Sequence, residues 1–176
     1  MCQKIKQNLK AINIVLSSIA GIFLIINMAG FLDQNIDEID FVNLASYALI
    51  FASVVIMFVL SLKNKYTITD MKVPGILFLT GRAISYLEIL YNNPKFVNMP
   101  LLVLSVAILI LWIISMFSNK TLNALKVLLI AFGAYSLCFA LNASIYQMAM
   151  LLIISQLALP LFIKEENNKE NEEINL

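Results

Sequence analysis

The sequence predicts an all-α fold: a polytopic integral membrane protein, a bundle of six transmembrane helices with both termini on the cytoplasmic side. Three observations carry that expectation. First, 61% of the 176 residues are hydrophobic and 13% are charged, with a mean hydropathy of +0.87; a soluble domain has about 45–50% apolar and about 25% charged residues. Second, the apolar residues come in unbroken blocks long enough to cross a hydrocarbon layer as helix. The short alternating segments of a β-barrel are missing. Third, nearly all the lysines fall on one side of the resulting plan.

The first block, 11–32, follows Lys4, Lys6 and Lys10. It is too long for the core of a signal peptide and reads as an uncleaved span, even though Ser18-Ile19-Ala20 offers small residues for cleavage. Ser17 and Gly21 form a small-xxx-small pair that lets another helix approach. The acidic turn 33–40 copies the first half of an EF-hand loop with Asp33, Asn35 and Asp37. It then fails, with Glu38 at the glycine position and Leu44 at the bidentate glutamate position, so a solvated turn is expected.

The second span, 41–62, ends at Lys63, Asn64 and Lys65. Pro74 opens the third, 73–92, where its missing N–H costs nothing, and Asn92-Asn93-Pro94 closes it. The fourth span, 99–117, opens at Pro100 and carries Trp112. The fifth, 122–141, holds the densest run of small residues (Ala131, Gly133, Ala134, Ser136, Cys138, Ala140), a composition suited to close packing. A turn at 141–144 is required, because 122–163 as one helix would reach about 60 Å. The sixth span, 144–163, contains Gln147, Gln156 and Pro160, and the proline favours a local break. The charged stretch 164–176 reads as a disordered tail.

Six spans put Lys4, Lys6, Lys10, Lys63, Lys65, Lys72, Lys120, Lys126, Lys164 and Lys169 on one face and Lys95 on the other. Basic residues accumulate on the cytoplasmic side, so both termini are expected inside and the acidic turn outside a cell membrane.

The third span departs from the others. Arg82 stands near its midpoint, with Glu88 about two turns further on. Intramembrane charge is costly and usually serves a function. On a helical wheel Pro74, Gly75, Gly81, Arg82, Ser85, Tyr86, Glu88 and Asn92 share an arc of about 160°, while Ile76, Ala83, Ile84, Leu87 and Leu90 occupy the other side. The polar arc is expected to face the bundle interior or a wet cleft. Arg82 and Glu88 lie about 120° apart around the axis, which makes them poor mutual partners. Oxygen acceptors for Arg82 are therefore sought on other helices, at Asn13, Asn27, Ser53, Tyr135, Gln147 and Gln156. The candidate ligand-binding set is Arg82, Ser85, Tyr86, Glu88 and Asn92, joined by Gln147 and Gln156 from the sixth span.

Two readings of that set stand open. An arginine solvated by neutral oxygens favours a small anionic solute or a lipid phosphate. Alternatively, Arg82 and Glu88 tie the helices together with hydrogen bonds and hold no ligand. Catalysis is not expected. The chain has no histidine, every aspartate lies in a loop, and Cys138 has no imidazole to activate it. Phosphate-binding loops, metal-ligand spacings, nucleic-acid surfaces and cofactor motifs are absent, and a disulfide between Cys2 and Cys138 does not fit this geometry.

In span number and orientation the plan resembles the substrate-binding subunits of energy-coupling-factor vitamin transporters, a likeness of architecture that no motif carries. It implies a solute-binding or transporting membrane subunit working with partner subunits. Two other functions fit the same sequence. One is a non-transporting accessory or assembly protein that docks a larger membrane partner through the small residues of the fifth span. The other is a homo-oligomeric ion pore with the acidic turn as its vestibule.

Overall fold

A computed structural model describes residues 2–34, 41–65, 67–92, 98–115, 117–118, 121–140 and 145–173, with side chains described over 8–30, 41–65, 67–92, 99–115, 117–118, 121–137 and 145–161. Of the acidic turn expected at 33–40, residues 33–34 end the first helix and 35–40 lie outside the described residues, as do Lys95 and the turn at 141–144. Within them the chain forms six helices: α1 (Cys2–Gln34), α2 (Phe41–Leu62), α3 (Lys72–Asn92), α4 (Asn98–Ser115), α5 (Leu122–Ala140) and α6 (Ile145–Glu173).

Three of them are long and apolar enough to cross a membrane: Asn8–Gly30 within α1, and all of α2 and α3. The apolar helices Met99–Ser115, Leu122–Leu137 and Ile145–Leu161 are shorter, each about 25 Å at 1.5 Å per residue. Two ends differ from expectation. The helix of α1 begins well before residue 11. The stretch 164–173, expected in a disordered tail, continues α6 to Glu173, and the helix runs through Pro160 without the break expected there. Lys and Glu are good helix formers, and adding turns to a nucleated helix is far easier than starting one.

The link between α2 and α3 shows how local chemistry sets the boundaries. Asn64 takes a left-handed conformation at φ 56°. The Lys65 N–H reaches the Leu60 carbonyl at 2.9 Å and the Asn64 N–H reaches that of Ser61 at 3.1 Å, the double bond that closes a Schellman C-cap. Thr67 and Asp70 then exchange hydrogen bonds, with the Asp70 N–H on Thr67 Oγ1 at 3.2 Å and the Thr67 N–H on Asp70 Oδ2 at 3.0 Å. That reciprocal box closes the turn that leads into α3, whose own Lys72 and Gly75 N–H groups bond to the Thr69 and Met71 carbonyls.

Each helix packs on its neighbours in the chain, and α6 returns to α1, so the six close into a ring. Paired contacts give the sense of two of these pairings. Asn43, Ser46 and Ser53 of α2 meet Glu88, Gly81 and Pro74 of α3. Tyr47 and Val54 of α2 meet Asn27 and Gly21 of α1. Rising numbers on one helix pair with falling numbers on the other, so both pairs are antiparallel.

The inward faces are marked by small polar residues as much as by apolar ones. Ser46, Ile50, Ser53, Val54, Met57 and Ser61 are buried on α2, whereas Phe41, Val42, Phe51, Val55, Val59 and Leu62 are exposed. On α1 the exposed residues include Ile12, Val15, Ile19, Ile22 and Ile26, a stripe of β-branched side chains at helical spacing. An outer surface this apolar suits lipid and would be a liability in water.

Helix α3 sits closest to its neighbours. The Ser46 hydroxyl donates to the Gly81 carbonyl at 2.8 Å, and the Ser53 hydroxyl to that of Pro74 at 2.7 Å. A Cβ at Gly81 would meet Ile50 Cγ1 at 2.8 Å and the Ser46 carbonyl oxygen at 2.9 Å, and one at Gly75 would fall on the Trp112 indole. Glycine is needed at both positions to let the helices approach.

A buried arginine in a tyrosine cage

Arg82 stands ten residues from either end of α3 (Lys72–Asn92), about 15 Å along the axis, and is 1% exposed. The polar arc faces inward along most of the helix: Pro74, Gly75, Gly81, Arg82, Ser85 and Tyr86 are buried, while Val73 and Leu87 are exposed. Ala83, expected on the outer side, is buried at 9%, and Asn92 at the end of the arc is exposed.

Two tyrosines hold the guanidinium. Nη1 donates to the Tyr146 hydroxyl at 2.8 Å, and Nη2 donates to the hydroxyl of Tyr86, one turn along the same helix. The guanidinium carbon also lies 4.2 Å from the centroid of the Tyr86 ring and 5.3 Å from that of Tyr146. Each ring therefore offers both an oxygen acceptor and an electron-rich face. Nε finds no partner among the described residues, and Arg82 makes no ion pair with any of them.

The cage continues outward through aromatic and amide groups. Tyr146 lies against Tyr47, with centroids 5.2 Å apart and planes tilted by 50°. The Tyr47 hydroxyl donates to Asn27 Oδ1 on α1. Glu88 accepts a hydrogen bond from Asn43 Nδ2 on α2. These groups come from the C-terminal part of α1, the first turns of α2, the second half of α3 and the first turn of α6, so one end of the bundle carries a polar centre spread over four helices.

Three of the residues expected to serve Arg82 make hydrogen bonds elsewhere. Ser53 bonds to Pro74, and Asn27 to Tyr47. Gln156 belongs to a second cluster at the other end: its Nε2 donates to the Asn13 carbonyl and to Ser17 Oγ, each at 2.7 Å, and joins α6 to α1. There Gln156 Oε1 and Asn13 Oδ1 are buried without partners among the described residues. Gln147 is partly buried beside Tyr146, and Ser85 is 6% exposed next to the arginine's turn. Of the candidate set, Arg82, Tyr86 and Ser85 lie together, Glu88 sits at the centre's margin, and Gln156 and Asn92 lie apart from it.

Sequence reading did not single out Tyr146, Tyr47 or Asn43. Each lies at the start of an apolar block, where a tyrosine or asparagine also fits an interfacial belt. A buried cation does require acceptors, and tyrosines within two turns of a span's end were the signal available. Among the described residues no group of His, Cys, Asp or Glu gathers that could hold a metal ion. No protein-family model, curated protein or solved structure matches the chain.

Proposed function

We propose that the chain is a six-span protein of the cell membrane, with both termini on the cytoplasmic side, that binds an anionic solute at Arg82 as the solute-binding or transporting subunit of a membrane system. One observation carries the reading: a permanently charged guanidinium is buried against neutral tyrosines, and its Nε has no partner among the described residues. A buried cation matched only by phenols keeps much of its desolvation cost. Two ring contacts offset part of that cost, at about 2 kcal/mol for a desolvated cation–π pair. An anion entering the cage offsets far more, because guanidinium and carboxylate or phosphate meet through paired, charge-assisted hydrogen bonds. Glu88, the one carboxylate on the same helix, is turned to Asn43 instead. The reading involves no catalytic step, cofactor or nucleic acid.

The test is thermal unfolding in lipid nanodiscs with acetate, phosphate and oleate, for the wild type, Arg82→Lys and Arg82→Gln. At least one anion is expected to raise the wild-type Tm by several degrees, with the rise lost in Arg82→Gln. Without anion, Arg82→Gln should be as stable as the wild type or more so, because the uncompensated charge is gone. A collapse of Arg82→Gln, combined with no anion effect on the wild type, identifies the cage as a structural hub and ends the proposal.

A further inference from the structure

Along the outside of the bundle, α1 and α2 leave an apolar groove in two parts. The part nearer the arginine cage encloses about 260 Å³ and is lined by Leu24, Met28, Ala29 and Tyr47, with Ile25 and Phe51 between it and the second part. That second part, about 310 Å³, shares Ile25 and Phe51 and runs back to Ser17 and Phe58. Together they follow α1 from Ser17 to Ala29, about 18 Å at 1.5 Å per residue. The groove opens sideways, since Ile22 and Ile25 on its rim are 54% and 56% exposed.

Its two ends differ. At the far end Ser17 and Ser18 turn their hydroxyls back onto the Asn13 and Ile14 carbonyls of their own helix, at 2.8 Å each. At the near end the wall is Tyr47, the residue whose ring lies on Tyr146 and whose hydroxyl holds Asn27. Tyr146 in turn holds Arg82. A channel shaped for one hydrocarbon chain therefore ends at the aromatic pair that separates it from a buried cation. A small hydrophilic anion has no use for the groove, and an uncharged chain has no use for the arginine.

Building on the reading of Arg82 as an anion site, we propose that the ligand is a single-chain acidic amphiphile drawn sideways from the bilayer, its tail in the α1–α2 groove and its carboxylate brought to Arg82 by displacement of Tyr47. Charge complementarity sets the head group, and the apolar channel sets the tail. Tyr47 is the door: swinging it off Tyr146 gives up its neutral hydrogen bond to Asn27 and its ring contact, while Arg82 stays held by Tyr86 and Tyr146.

The experiment uses the full chain in zwitterionic phosphatidylcholine nanodiscs and three probes: oleic acid, oleyl alcohol (tail without acid) and acetate (acid without tail). Variants are Ile25→Trp and Ala29→Phe, which fill the groove from exposed positions, and Arg82→Gln. Oleate should bind and raise Tm, the other two probes should not, and either groove variant should weaken oleate at least tenfold. If acetate stabilises as well as oleate and the groove variants change nothing, the amphiphile is ruled out while the anion site stands. If oleate binds Arg82→Gln as tightly as wild type, the chain is only filling a greasy surface and the inference falls. If no probe gives an Arg82-dependent shift, the amphiphile falls together with the anion site.

Discussion

The two outer tyrosines make nearly the same shape of contact and differ in what their hydroxyls face. Tyr146 accepts from a guanidinium, and Tyr47 donates to a neutral amide. Hydrogen bonds to charged groups contribute about 1.5–3 kcal/mol, while neutral side-chain bonds between membrane helices average about 0.6 kcal/mol. Tyr146→Phe should therefore destabilise the protein by about 1.5–3 kcal/mol and Tyr47→Phe by well under 1 kcal/mol. Chemical denaturation of the two variants in the same detergent gives the order; equal losses would show that Tyr146 does not carry the cation. Serines on α2 act at the same level. Ser46 and Ser53 each exchange a helix-internal habit for a bond to an α3 carbonyl, whereas Ser61 keeps it and donates to the Met57 carbonyl of its own helix.

Helix α3 is positioned by what it lacks at Gly75 and Gly81. A methyl group at Gly81 would press on a backbone oxygen, which has little freedom to move, and would push apart the Ser46–Gly81 hydrogen bond. Overpacking of this kind costs about 1–3 kcal/mol. Gly30, which has nothing within 4 Å of an added Cβ, is the control: Gly30→Ala should be neutral or stabilise by up to about 1 kcal/mol through helix propensity. Comparing Tm for Gly81→Ala and Gly30→Ala isolates close approach from propensity. If both variants behave alike, α2 and α3 are not in the tight register described above. Gly81 directly precedes Arg82 on α3, so Gly81→Ala should also weaken any anion effect.

For the whole molecule, the proposed orientation rests on the lysine distribution. In a cysteine-free background, Lys65→Cys should react with a membrane-impermeant thiol reagent only after right-side-out vesicles are opened, whereas Lys95→Cys should react at once. Ready labelling of Lys65→Cys in sealed vesicles would reverse or break the six-span, both-ends-inside plan. The residues legible in advance were those set by composition along a single helix. An all-helical fold and an inward polar arc on α3 both follow from local order, because backbone groups in an apolar block must bond within their own helix and a charge must avoid lipid. Arg82 and Tyr86 could be read that way. Which acceptors from other helices reach the arginine could not: Asn27, Ser53 and Gln156 were equally suitable by type, and Tyr146 supplies the bond. Helices of Leu, Ile, Val and Phe are apolar on every face, so the hydrophobic pattern carries no address for a partner. The return of α6 onto α1, the antiparallel register of α2 on α3 and the groove that ends at Tyr47 depend on the fit of small residues against large ones across helices far apart in the chain, and that fit exists only once the bundle is assembled.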